Sequence, residues 1–117
     1  MTTIYGIKNC DTMKKAFAWL DEAGVAFDFH DYKKAGLEKP KLMQWVKLLG
    51  WKTLLNTQGM TWRKLSEEDR ADLTQGKAVA LMLAHTSLIK RPVVECDNGQ
   101  ILVGFDAAVY KSFIQHG

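Results

Sequence analysis

The chain has 117 residues, 47% of them apolar and 25% charged, which suits one globular domain with a single core. Its net charge is +3, and thirteen lysines and three arginines are dispersed along it, which gives no nucleic-acid footprint. No apolar run approaches the roughly 18 residues of a membrane helix, and no basic-then-apolar leader opens the chain. The two cysteines, Cys10 and Cys96, form neither C-x-x-C nor a zinc-type cluster. These properties lead to the expectation of a cytoplasmic monomer with reduced thiols, no metal, no tightly bound cofactor and no membrane or nucleic-acid partner.

In chain order, residues 3–7 read as a short strand ended by the Lys8-Asn9 turn. Met13, Ala16, Phe17, Leu20 and Ala23 recur at three- and four-residue spacing, predicting a helix over 11–23 that Gly24 stops. Residues 25–31 alternate apolar and polar and predict a second strand. Strand, helix and strand with short connections form a βαβ unit with parallel strands. Residues 32–40 read as a polar loop. Pro40 opens a helix with an apolar face of Leu42, Trp45, Val46 and Leu49, and Gly50 closes it. After it come an apolar piece at 51–55, a turn at 56–59, an ambiguous helical turn at 61–65, a helix start at Ser66 and an apolar helix over 78–83. Beyond Pro92, residues 93–96 and 101–103 predict a β-hairpin turned at Asp97-Asn-Gly99, and Asp106 caps a last helix over 107–114. The order is βαβ, helices, ββα: an α/β chain with a four-stranded mixed sheet and a helical insertion over 33–88.

Cys10 stands where the first strand turns into the first helix. A thiol there faces unpaired backbone N–H groups and the positive end of the helix dipole, and both favour thiolate. Lys8, Lys14 and Lys15 add positive charge nearby. A free cysteine is commonly a small buried hydrophobe, but the polar neighbours Asn9, Asp11 and Thr12 suit a reactive thiol and shape its loop. Met13 occupies the position three residues on, so an oxidised Cys10 has to be resolved from outside, with glutathione the expected thiol. Cys96 lies four residues beyond Pro92, about 13 Å along a strand, too far for a direct disulfide with a thiol beside Pro92. Arg91 is a candidate for pairing with a carboxylate or oxyanion, and Arg63 is either a second anion ligand or a surface partner of Glu67 or Glu68. His30, His85 and His116 are not placed as bases for Cys10, and the four tryptophans read as packing residues.

Several stretches together resemble the arsenate reductase/Spx family, the ArsC-like proteins, and within it the small YffB-type branch. They are residues 5–12 around Cys10, 50–56, 59–65, Ile89-Lys-Arg-Pro-Val93 and Leu102-Val-Gly-Phe105. The resemblance implies a thioredoxin fold whose helical insertion separates the second and third strands. It implies Cys10 as nucleophile, a cis peptide before Pro92, an anion site that includes Arg91, and recycling by glutathione with glutaredoxin, or by thioredoxin. Arsenate-reducing members of this type carry three arginines around the cysteine. Here only Arg91 matches, since Asn56, with Gln58 two residues on, and Gly104 stand at the other two positions. The expected activity is a glutathione-dependent thiol reductase with an anionic or disulfide substrate. The alternatives are a glutaredoxin-coupled arsenate reductase and an Spx-like module that binds a protein such as RNA polymerase.

Overall fold

The computed structural model describes residues 1–114; His116 lies outside the described residues. A sheet unit comprises Met1–Gly36 and the chain from Arg91 onward, and a helical unit comprises Leu37–Lys90.

In the sheet unit, β1 (Thr2–Gly6) pairs in parallel with β2 (Phe27–Asp31), placing Gly6 beside Asp31. β1 also pairs antiparallel with β3 (Val93–Glu95), which pairs antiparallel with β4 (Ile101–Val103). The sheet order is β2-β1-β3-β4, the expected four-stranded mixed sheet. Between β1 and β2 runs α1 (Asp11–Glu22), whose Met13, Ala16 and Leu20 are buried one turn apart. They join Ile4, Val25, Val94, Cys96, Tyr110 and Ile114 in one apolar core. Tyr110 belongs to α8 (Ala107–Phe113), whose cap is Asp106: its carboxylate accepts from the N–H groups of Ala108 and Val109. Removing large side chains from such a core destabilises by about 2–5 kcal/mol each, so the core fixes where the ends of β1 and β3 meet.

The β3–β4 turn runs over Asp97-Asn-Gly99, as expected. Gly99 N–H donates to Cys96 C=O at 3.0 Å, and only Gly99 has a positive φ, +89°. This is a type I turn closed by a left-handed glycine, the three-residue alternative for antiparallel strands.

The polar stretch after β2 is not all loop. Tyr32–Ala35 makes one helical turn, α2, before Gly36 at φ +65° ends it. Two local features produce it. The Asp31 carboxylate accepts from Lys33 N–H at 2.9 Å, and the Tyr32 ring is buried at 4% exposure. An apolar ring among lysines carries no periodicity, so the pattern alone reads as loop.

The helical unit holds α3 (Lys39–Leu49), α4 (Trp51–Leu54), α5 (Met60–Lys64), α6 (Glu67–Arg70) and α7 (Gln75–Ala84), then a 3-10 turn over Thr86–Leu88. Pro40 lies in the first turn of α3, and Ser66 and Thr74 cap α6 and α7 through their hydroxyls. Leu55 bridges Ile89 antiparallel, flanked by Asn56 N–H to Leu88 C=O at 2.7 Å and Lys90 N–H to Leu54 C=O at 2.8 Å. Among the described residues, no helix is long and apolar enough to cross a membrane, and no group of His, Cys, Asp or Glu could hold a metal.

Candidate active site

The site is built where β1 ends. Gly6 leaves the sheet, Ile7 to Asn9 turn, and Cys10 is the N-cap residue of α1, with extended backbone at φ −148° and ψ 131°. Its C=O already accepts from Lys14 N–H at 3.0 Å, so the helix begins beneath it. Met13 anchors this turn from inside. A Cβ built on Gly6 would lie 2.7 Å from Met13 Cε and closer still to its sulfur. Any side chain at Gly6 would force the end of the Met13 side chain to move.

The Cys10 side chain is half-buried against the edge of the core. Burial is the largest single influence on its ionisation and pushes the pKa up. Against it stand hydrogen bonds from Met13 N–H, the Arg91 guanidinium and Thr12 N–H, together with the positive charge of Arg91. The opposing set prevails, and the thiol lies below its ordinary value.

Arg91 reaches Cys10 because β3 begins two residues after it. The Arg91-Pro92 peptide is cis, and Pro92 C=O accepts from Gly104 N–H at 2.8 Å. Pro92 itself is buried. The structure thus brings Arg91, Thr12 and Cys10 together within the sheet unit. Thr12 acts through its backbone N–H. Asn9 and Asp11 are exposed beside them. Lys8, Lys14 and Lys15 are not among the main influences on the Cys10 pKa, which are burial, Arg91 and the N–H groups of Met13 and Thr12. All three are exposed, where solvent and salt screen an ammonium that is not in contact. Arg63 lies in the helical unit on α5, exposed and without an ion pair among the described residues, so neither Glu67 nor Glu68 holds it.

The two positions where arginines are replaced each have a local role. Gly104 has φ +82°, a conformation that is strained for any residue with a side chain. Its C=O accepts from the Tyr110 hydroxyl at 2.7 Å, tying the end of β4 to α8. The Asn56 carboxamide oxygen accepts from Gln58 N–H at 3.0 Å, closing an Asx turn.

Cys96 is a contrast. It is buried in the core of the sheet unit and free, and burial, then the neighbouring Asp97 charge, pushes its pKa up.

Tyr32 is a neighbour of the site that the loop reading missed. Its hydroxyl is buried and has no hydrogen-bond partner, and it feels the charges of Arg91 and Glu95. Burial drives its pKa strongly upward, with Tyr5 adding to the effect, so it stays a neutral phenol. Tyr5 donates to Glu95 Oε1 at 2.8 Å, and its ring sits 4.8 Å from the His30 imidazole.

Comparison with known proteins agrees with this architecture. The chain is 39% identical over 112 residues to an uncharacterised protein of Haemophilus influenzae, covering 96% of this chain and 97% of that one. It is 27% identical over 116 residues to the global transcriptional regulator Spx of Streptococcus agalactiae, covering 97% and 83%. Among solved structures, a protein named YffB matches at 51% identity and a TM-score of 0.93, covering 98% of this chain and all (100%) of that one. An arsenate reductase (ArsC) related protein from Brucella melitensis matches at 50% identity and a TM-score of 0.76, covering 96% and 92%. The family model described as the ArsC family matches residues 5–113, so the chain belongs to the ArsC family.

Proposed function

We propose that this protein is a thiol-dependent reductase in which Cys10 is the nucleophile and glutathione the reductant. The supporting observation is the donor set around Cys10: the Arg91 guanidinium and the Met13 and Thr12 N–H groups, which together outweigh burial and favour thiolate. Family membership supports thiol-based reduction in general terms. Glutathione as co-substrate, the substrate itself and a cytoplasmic setting are parts of the proposal.

The chemistry balances as thiol–disulfide exchange. The Cys10 thiolate attacks one sulfur of a substrate disulfide. That S–S bond breaks, a new one forms to Cys10, and the other sulfur leaves as a thiolate that takes a proton from water. A glutathione thiolate then attacks Cys10 Sγ and releases the second half of the substrate. Glutaredoxin or a second glutathione attacks the glutathione sulfur and regenerates the Cys10 thiolate. The helix-terminal N–H groups and Arg91 stabilise the leaving Cys10 thiolate in that last step as well as the attacking one in the first. Met13 at the third position after Cys10 makes the outside thiol necessary.

Reduction of arsenate is a weaker reading. A tetrahedral dianion needs several charge-assisted donors to compete with water, and Asn56 and Gly104 replace two arginines with groups engaged in local turns. A regulatory, protein-binding role is favoured by the likeness to Spx, but Met13 removes the C-x-x-C pair typical of those regulators. Exposure to oxidised glutathione, read by mass spectrometry, separates the readings. One glutathione adduct mapped to Cys10 and released by reduced glutathione is the expected result. An unmodified chain contradicts the reductase reading, and arsenite formation from arsenate with glutathione and glutaredoxin would reinstate the arsenate one.

A further inference from the structure

We infer that the disulfide presented to Cys10 is a protein disulfide set in an acidic segment, received by a basic rim of Lys8, Lys33 and Lys34 around the thiol. This rests on the thiol–disulfide reading and narrows its substrate class.

The fold places the three lysines at one end of the sheet. β1 and β2 are parallel with Gly6 beside Asp31, so the loop carrying Lys8 and the turn carrying Lys33 and Lys34 leave the same edge. Adjacent strands are about 4.8 Å apart. Arg91 ties this turn to the thiol from another direction, since it bonds Cys10 and its charge reaches Tyr32, the residue before Lys33.

The turn is a fixed platform. Tyr32 is buried, Gly36 N–H donates to Tyr32 C=O at 2.9 Å, and His30 Nε2 hydrogen-bonds Gly36 C=O at 2.7 Å. Lys33 and Lys34 are exposed on it, as Lys8 is on its loop. None of the three makes an ion pair among the described residues. The nearby Asp31 carboxylate is turned onto the Lys33 backbone N–H. Nor do these lysines activate the thiol, because backbone donors and Arg91 do so. What remains is a set of exposed ammonium groups without ion pairs at the end of the sheet where Cys10 sits, with Asp11 the exposed carboxylate next to the thiol.

Ammonium groups on flexible stems suit carboxylates whose positions vary, whereas a fixed oxyanion calls for the fork of arginine. Arg91 serves the reacting end. A peptide extends about 3.3 Å per residue, so Asp or Glu a few residues on either side of a disulfide cysteine reach the rim. Attack by the Cys10 thiolate breaks the peptide S–S bond, joins one half to Cys10 and releases the other as a thiolate. Glutathione supplies the electrons that regenerate Cys10.

The test compares the full chain's reaction with three disulfides at low salt and at roughly 0.5 M NaCl. They are hydroxyethyl disulfide, an Asp/Glu-flanked peptide disulfide and a Lys-flanked one, with Cys10 adducts timed by mass spectrometry. The acidic peptide is expected to react about tenfold faster than the basic one at low salt, with the gap collapsing at high salt. The Lys8→Gln/Lys33→Gln/Lys34→Gln variant should lose the preference and keep its rate with hydroxyethyl disulfide. Equal rates for the two peptides, or a preference that survives in the triple variant, overturn the proposal while the thiol reading stands. A chain that reacts with none of the three loses that reading, and the proposal with it.

Discussion

Cys10 and Cys96 both sit beside the end of a β-strand, yet the chain treats the two thiols in opposite ways. At the β1–α1 junction the strand runs into a helix, and the free N–H groups of the first helical turn face the sulfur, with Arg91 arriving from the start of β3. At the end of β3 the strand runs into a hairpin. Cys96 spends its own backbone on that turn, with its N–H donating to Gln100 C=O at 2.8 Å, and its side chain faces the core. Burial raises both pKa values; only at Cys10 do donors outweigh it. The element after the strand therefore decides whether its cysteine is reactive: a helix N-terminus supplies donors, and a hairpin uses its own.

The largest effect should come from exchanging the two sulfurs for oxygen in turn. Cys10→Ser is expected to abolish glutathione-linked disulfide turnover, whereas Cys96→Ser keeps most of it. Comparable activity in both variants would remove the distinction. Next is Arg91→Gln, which takes away a charge-assisted hydrogen bond to the thiolate. Alkylation of Cys10 at neutral pH should slow by on the order of tenfold and its pH midpoint should move upward, while Lys14→Gln leaves both unchanged. Gly6→Ala forces its new methyl group against Met13, and urea unfolding should report a loss of about 1–3 kcal/mol. Asp106→Ala, which removes the cap of α8, should cost about 1 kcal/mol, measured by urea unfolding.

The two thiols also give stability opposite pH dependences. The lowered Cys10 pKa contributes stability that is present above the ordinary thiol pKa and lost as pH falls through the lowered value. The raised Cys96 pKa contributes stability that is present below the ordinary value and lost as pH rises through the raised one. Cys96→Ala should therefore flatten the alkaline decline in stability, measured as the urea midpoint against pH.

The order of elements along the chain and the mixed sheet were legible because period-two and period-3.6 patterns differ plainly in Phe27–Asp31 and in Met13, Ala16 and Leu20, and because Gly24, Pro40 and Asp106 mark element ends. The setting of Cys10 was legible as far as the helix terminus, since a cap residue's surroundings are local in sequence. The approach of Arg91 was not, because it stands 81 positions after Cys10 and the pairing of β3 with β1 brings them together. For the same reason Lys14 and Lys15, close to Cys10 in sequence, suggest an influence that Arg91 exerts. Gly104 reads as a missing arginine; its positive φ and its bond to Tyr110 are tertiary facts with no mark in the pattern. Tyr32 is hidden among lysines because a single buried ring has no period.

The most direct test of the account is alkylation of the folded chain by iodoacetamide as a function of pH, with each adduct assigned to its cysteine by peptide mass. Cys10 should be modified first, with a midpoint below the roughly 8.5 of a free thiol, and Cys96 should stay protected until the chain unfolds. A Cys10 midpoint at or above the free-thiol value, or equal modification of both cysteines in the folded state, would contradict it.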